Sequence, residues 1–282
     1  LMYCKRKLNA EGVVISDTDE MENRFPAGNA NLNTSTLYYD ALLSASYLSK
    51  ELGKSVSLSN GYRKEAEILR KNIAHYFEAN IEGYETYCYY KGNDVLRSWI
   101  CVPLVAGIFD RKEGTINALL SPNLWTENGL LSQTGTSTYW DRPALYALRG
   151  IYAAGEREKA TRYLQRYSVQ RLLGDHVPYP IEAWPEGNQR HLSAESGLYC
   201  RIITEGIFGI RPMGLHAFML TPQLPAEWNF MELKNVYAFG TKPFNIRVIR
   251  HGDRIKTVIE REGKVWKSYS SMVGKSIQVR LK

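Results

Sequence analysis

Hydrophobic positions in the first 210 residues repeat at three- and four-residue steps, which is typical of amphipathic helices. Leu42, Ala45, Leu48 and Leu52 follow this rhythm, and Gly53 ends the run. The same reasoning predicts seven helices, separated by segments rich in Gly, Pro, Ser and Asn. The predicted helices cover residues 32–52, 61–79, 95–109, 113–120, 142–154, 156–172 and 193–207.

The connections between these helices alternate in length. They are short after the first, third and fifth helices and long before the first, third, fifth and seventh. In a ring of antiparallel hairpins, every long loop then lies at the same end, where the loops form a mouth. The pattern therefore predicts a mainly α protein built as a partial α/α (six-hairpin) toroid.

A different pattern begins near Pro212. Phe244, Ile246 and Val248 alternate with polar residues, as in a half-buried strand. Hairpin turn residues follow at 251–253 and again at 262–263. We therefore expect two domains, a helical catalytic domain over 1–212 and a small antiparallel, β-sandwich-like module over 213–282.

Composition excludes several classes of protein. The net charge of +7 is spread along the chain, whereas a nucleic-acid-binding protein concentrates its Lys and Arg on one stripe. No apolar run approaches the roughly 18–20 residues that span a bilayer. The four cysteines are far apart and lack zinc-ligand spacing. We expect no nucleic-acid partner, no membrane span and no metal.

Aromatic residues are abundant in the polar loops. The chain has nineteen Tyr and six Trp, and several lie among Gly, Asn and Asp between the predicted helices. An aromatic ring in such a loop can stack on the C–H face of a sugar. The alternative is that these rings pack over the core.

The first long loop holds four acids in six residues, namely Asp17, Asp19, Glu20 and Glu22. Such a group serves as a catalytic acid, as a metal site or as a solvated linker. A calcium-binding EF-hand is excluded because Gly28 stands where the bidentate Glu belongs. No metal is therefore assigned to this loop.

Two further loops carry candidate residues. Trp140 and Asp141 precede a helix, where Asp141 either caps the helix or accepts hydrogen bonds from sugar hydroxyls, with Trp140 as the stacking surface. In the third loop, Glu182 lies close to Trp184 among three prolines, and an acid held in such apolar surroundings suits proton transfer near neutral pH. His191 is expected to orient a neighbouring group.

These motifs resemble a known superfamily. The segment 182–184, followed by a helix and Gly-Ile at 193–210, resembles the end of the catalytic toroid in α-L-rhamnosidases. Segments 139–143 and 19–26 are similar to parts of the trehalases and processing α-glucosidases. The resemblance implies a six-hairpin glycoside hydrolase that inverts the anomeric centre with two carboxylates and needs no cofactor.

The resemblance also implies residue roles. Glu182 matches the general base, which takes a proton from the attacking water. In the trehalase and α-glucosidase pattern, Glu22 matches the general acid, which protonates the leaving oxygen. In the rhamnosidase pattern, the acid is instead expected on a segment upstream of this chain. The residues expected to bind the sugar are Trp99, Asp19, Trp140, Asp141, Trp184 and His191.

The resulting hypothesis is an inverting exo-glycosidase, rhamnosidase- or α-glucosidase-like, or its C-terminal part, acting on an oligosaccharide or glycan. The alternatives are an α/α-toroid polysaccharide lyase and a carbohydrate-binding fragment without catalysis. The chain starts without Met and has fewer helices than six hairpins need, so we expect a fragment whose open edge forms a homodimer. Enzymes of this type meet glycans outside the cytoplasm, so the expected location is periplasmic or extracellular.

Overall fold

The computed structural model describes residues 1–16, 18–19, 25–173, 179–180, 182–184 and 193–281, with the backbone alone at 183, 184 and 193. Helices fill most of the first 210 residues, and antiparallel strands follow them. The helices are α1 Met2–Arg6, α2 Leu32–Glu51, α3 Val56–Tyr76, α4 Val102–Ala106, α5 Lys112–Leu119, α6 Asp141–Ala153, α7 Arg157–Leu172 and α8 Ser193–Arg201, with a 3-10 helix at Ser98–Cys101 and a π-helix at Ile202–Ile207.

The helices pack as hairpins and as a row. α2 packs against α3, and α6 packs against α7. α4 lies between α2 and α6, and α6 also contacts α8. The helices that follow the long loops are thus neighbours in space. The partial α/α toroid, with its long loops at one end, stays a prediction.

Two predicted helices differ from those observed. The α3 helix starts earlier than predicted because the Ser55 hydroxyl accepts a hydrogen bond from the Leu58 N–H, which caps the first turn. The predicted helix over 95–109 is a 3-10 turn followed by the short α4. The pattern of apolar residues does not distinguish one long α-helix from this 3-10 turn and short α-helix, since Trp99 and Val102 are buried in either case.

Small hairpins replace parts of the predicted loops. The tyrosine-rich segment forms a hairpin and ends with Tyr87 and Tyr89 fully buried. These two rings therefore pack in the core, which was the alternative to stacking on a sugar. The strands in this part of the chain are β1 Glu78–Ile81, β2 Tyr84–Tyr87, β3 Trp125–Thr126, β4 Gly129–Leu130, β5 Tyr139–Trp140 and β6 Ala183–Trp184.

The C-terminal strands form two antiparallel sheets. The strands are β7 Arg211–Gly214, β8 Ala217–Leu220, β9 Phe230–Val236, β10 Phe244–His251, β11 Arg254–Arg261, β12 Lys264–Met272 and β13 Ile277–Arg280. One sheet has the order β12-β11-β10-β9, and the other has the order β13-β8-β7. In the predicted turn between β11 and β12, Glu262 and Gly263 both have positive φ, 51° and 74°, as a two-residue hairpin turn requires.

The helical part and the strands share one hydrophobic core, which runs from Val13 to Leu281. Polar contacts also cross between them: Arg211 on β7 donates to Asp40 on α2 at 2.8 Å, and the Ala226 N–H donates to Glu158 on α7 at 3.0 Å. The predicted boundary between 212 and 213 stays a prediction, and β7 spans it.

None of the helices in the described part of the chain is long and apolar enough to cross a membrane.

Candidate active site

The second and third candidate loops meet in a short β-ladder. β5 and β6 pair antiparallel, with Tyr139 opposite Trp184 and Trp140 opposite Ala183. The two strands are more than 40 residues apart in sequence. This pairing brings Glu182 and Trp184, both predicted site residues, beside Trp140 and Asp141 at the start of α6.

Glu182 lies at the end of this ladder. Its carbonyl accepts a hydrogen bond from the Asp141 N–H at 3.0 Å, which fixes its backbone against α6. The Glu182 side chain is half-buried, and its carboxylate makes no hydrogen bond or ion pair with any described residue. A carboxylate in this state is chemically able to accept a proton from water.

Asp141 is held in a buried ion pair. Its carboxylate accepts from Arg171 Nε at 3.1 and 3.2 Å and from the Tyr167 hydroxyl at 3.0 Å. Asp141 and Arg171 are 2% and 4% exposed. Burial raises the pKa of Tyr167 well above its ordinary value, and the Asp141 charge adds to this effect. The ion pair connects α6 to α7. It holds the Asp141 carboxylate in one position, where it acts as a hydrogen-bond acceptor.

Two of the predicted tryptophans pack against each other in the protein interior. Trp99 and Trp140 meet edge to face with centroids 6.0 Å apart, and they are 1% and 3% exposed. Trp99 also packs against Tyr146 at 5.7 Å. Nearly complete burial makes these rings part of the protein interior, so their stacking on a sugar stays a prediction. For Trp184 the structure describes the backbone strand alone.

Asp19 belongs to a second cluster, which surrounds Arg97. The Tyr89 hydroxyl donates to Asp19 Oδ2. The Arg97 guanidinium lies 5.1 to 5.5 Å from the ring centres of Phe25, Tyr89 and Tyr90, as in cation–π contacts. Burial lowers the pKa of Arg97, and the tyrosines and Asp19 oppose this effect. Sequence analysis missed Arg97, because nothing local marks a cation that distant rings surround.

Isolated bridges join the two clusters. Arg97 pairs with Gln133, and Leu131 pairs with Tyr139 on β5. The segments that carry Arg97, Trp140 and Glu182 are thus linked by backbone pairing, and Asp19 joins them through the Tyr89 side chain. The three candidate loops of the sequence analysis are therefore connected, and the second and third meet at the start of α6.

A second buried ion pair joins α6 to α8. Arg142 Nε donates to Glu195 Oε1 at 2.8 Å, and the Glu195 side chain is fully buried. Sequence analysis missed Glu195. The available signal was an acid in the first turn of a helix, which is too common to indicate a site.

Two predicted residues, Glu22 and His191, lie outside the described residues. Among the residues that the structure describes, no group of three or more His, Cys, Asp or Glu side chains could hold a metal ion.

Comparison with known proteins shows what the chain resembles in fold. No protein-family model and no curated protein matches the sequence. The chain is similar to the structure of a sialidase, with a TM-score of 0.73 and 14% identity over 98% of this chain and 30% of that one. It is also similar to the neutral trehalase Nth1 from Saccharomyces cerevisiae, with a TM-score of 0.51 and 16% identity over 67% of this chain and 40% of that one. The chain thus spans less than half the length of these two structures and shares its fold with parts of both.

Proposed function

We propose that the chain is the sugar-binding, catalytic part of an inverting glycoside hydrolase. We further propose that it cleaves the end of an oligosaccharide or glycan, with rhamnosidase- or α-glucosidase-like specificity. The observation that carries the proposal is the β5–β6 ladder, which sets Glu182 against the start of α6 beside Asp141 and Trp140. The fold shared with a sialidase and a trehalase, two glycosidases, supports it.

Inverting hydrolysis needs two carboxyl groups and one water. One carboxylate takes the proton of the attacking water, and the other group protonates the leaving oxygen from the opposite side, at roughly 6.5–9.5 Å from the first. We assign the base to Glu182, because its carboxylate is not engaged by other described residues. The acid is assigned to Glu22 on the resemblance. This chemistry requires no cofactor.

The remaining predicted residues are proposed to hold the sugar. Asp141 is kept in place by Arg171 and Tyr167, so its carboxylate can accept a hydrogen bond from a sugar hydroxyl without moving. The others, each a proposal, are Trp99, Trp140, Trp184, Asp19 and His191.

The test is hydrolysis of a panel of aryl glycosides, including α-L-rhamnoside and α-glucoside, by the wild type and by Glu182→Gln. Loss of the general base should reduce kcat by about 10²–10⁴-fold, with an unchanged melting temperature, because the carboxylate has no described partner to lose. Proton NMR of the first product formed should show the inverted anomer.

The matched control is Glu127→Gln, the same substitution at an exposed loop residue, which should leave kcat unchanged. Glu22→Gln should slow alkyl glycosides more than nitrophenyl glycosides, since a good leaving group needs little protonation. Full activity of Glu182→Gln on every hydrolysed glycoside would contradict the assignment. Sugar binding without any product would favour the non-catalytic alternative.

The homodimer and the periplasmic or extracellular location stay predictions. The apolar surface proposed for a dimer includes Leu37 and Leu48 of α2 and Leu52 directly after it, which are 54%, 50% and 65% exposed.

A further inference from the structure

A cavity of about 170 Å³ lies between α2, the 3-10 helix, α4, α6 and α8. It shares Arg149 and Arg201 with an adjoining cavity of about 550 Å³, a size at which small molecules bind. Trp99 forms part of the wall of the smaller cavity and packs on Trp140. The smaller cavity therefore adjoins the candidate active site.

Two residues that line this cavity carry buried polar atoms without a partner. Thr36 Oγ1 and Trp99 Nε1 make no hydrogen bond with any described residue, and the two residues are 0% and 1% exposed. Buried polar groups are normally hydrogen-bonded, and an indole N–H can only donate. A ligand that offers hydroxyl oxygens would satisfy both atoms.

The cavity wall also carries excess positive charge. Arg149 Nη1 donates to Glu205 at 2.6 Å, and Arg201 donates to the same carboxylate at 2.5 and 3.0 Å. Two guanidinium groups thus share one carboxylate. Burial lowers the pKa of Arg149, which Glu205 opposes. Glu205 lines the adjoining cavity, whereas the acid that lines the smaller cavity, Asp40, is paired with Arg211 at 2.8 Å.

We propose that this cavity binds a sugar ring that carries a carboxylate. The carboxylate pairs with Arg149 and Arg201, and ring hydroxyls bond to Trp99 Nε1 and Thr36 Oγ1. The two arginines favour an acidic ligand, because Glu205 supplies one negative charge for two positive ones. The carboxylate of the ligand supplies the second negative charge. The choice of a sugar rests on the proposed function.

The test is calorimetric titration of the whole chain with three probes: D-glucuronate, N-acetylneuraminate and D-glucose. At least one of the two acids should bind about tenfold or more tightly than glucose, because charge-assisted hydrogen bonds are about twice as strong as neutral ones. Comparing the affinities for the two acids shows whether the cavity prefers a uronate, such as D-glucuronate, or a larger nonulosonate, such as N-acetylneuraminate. Equal affinity of all three probes, or no binding of either acid, would overturn the proposal.

Two variants separate the contributions of charge and hydroxyl. Arg201→Gln leaves Glu205 paired with Arg149, so it should remove the preference for the acid without weakening glucose binding. Thr36→Val removes an unpartnered hydroxyl, so it should weaken binding of acid and neutral sugars alike at an unchanged or higher melting temperature. Arg254→Gln, at the exposed first residue of β11, is the charge-matched control and should change neither affinity. A preference that survives Arg201→Gln would contradict the assignment.

The experiments distinguish failure of the proposed function from failure of this inference. Selective binding of an acid with no turnover of any glycoside would contradict the proposed function and support the acidic ligand. Turnover of neutral glycosides with no preference for acids in titration would keep the function and overturn this inference.

Discussion

Asp141 shows what a single residue reveals in sequence and what it does not. Its place before a helix left two roles open, a cap or a sugar ligand. In the structure its carboxylate is bound by Arg171 and Tyr167, which are 30 and 26 residues away in sequence. No local pattern marks such partners, because they come together through the packing of α6 on α7.

Buried tyrosines make the stability of this chain sensitive to alkaline pH. Burial raises the pKa of Tyr152 to about 12, while its hydroxyl bonds Thr161 at 2.8 Å. The unfolded chain ionises near pH 10, so this contribution to stability is complete below pH 10. It is lost as pH rises from there to about 12.

We therefore expect the unfolding free energy of the wild type to fall more steeply between pH 9 and pH 11 than that of Tyr152→Phe, as measured by urea denaturation. The full pKa difference corresponds to about 2–3 kcal/mol. Tyr237→Phe is the control, since Tyr237 is 79% exposed, and it should follow the wild type. Parallel pH curves for wild type and Tyr152→Phe would contradict the prediction.

At the scale of elements, apolar periodicity located the longer helices well. α2, α6 and α7 begin and end within a residue of their predicted bounds, because each buries one continuous face. The short elements were missed. The hairpin of β1 and β2 and the ladder of β5 and β6 depend on packing against distant segments.

The packing of α5 on the β1–β2 hairpin depends on Gly114. A Cβ at this position would lie 1.9 Å from the Glu85 carbonyl oxygen. Gly114→Ala should therefore destabilise the protein by about 1–3 kcal/mol, measured by urea denaturation.

Gly61, inside α3, provides the matched control, since a Cβ there meets no atom within 4 Å. Gly61→Ala should be neutral or stabilise by up to about 1 kcal/mol, because Ala favours the helix. Equal stability of Gly114→Ala and Gly61→Ala would contradict the close approach of α5 to the β1–β2 hairpin.

At the scale of the whole molecule, the helices and the C-terminal sheets share one core. The sequence divided them at 212, where the hydrophobic period changes. Contacts such as Arg211 with Asp40 cross that division. We therefore expect one cooperative unfolding transition in calorimetry.

Ile246→Ala tests this in the β module, where Ile246 is fully buried on β10. It should cost about 2–5 kcal/mol and lower the midpoint of the helical circular dichroism signal along with that of the calorimetric peak. Val265→Ala, at a residue that is 64% exposed, should shift neither. Two separate peaks, or an unchanged helical midpoint in Ile246→Ala, would contradict a common unfolding unit.

The sequence by itself determined the helical hairpins, the hairpin turn at Glu262 and Gly263, and the loops that hold Glu182 and Asp141. These features depend on residues close together in the chain, whose period and turn chemistry are readable directly. The tertiary structure decided that β5 pairs with β6, that Arg171 neutralises Asp141, and that Arg149 and Arg201 share Glu205 beside the cavity. Each of these relations joins distant segments, and it is favourable only after the common core has buried them.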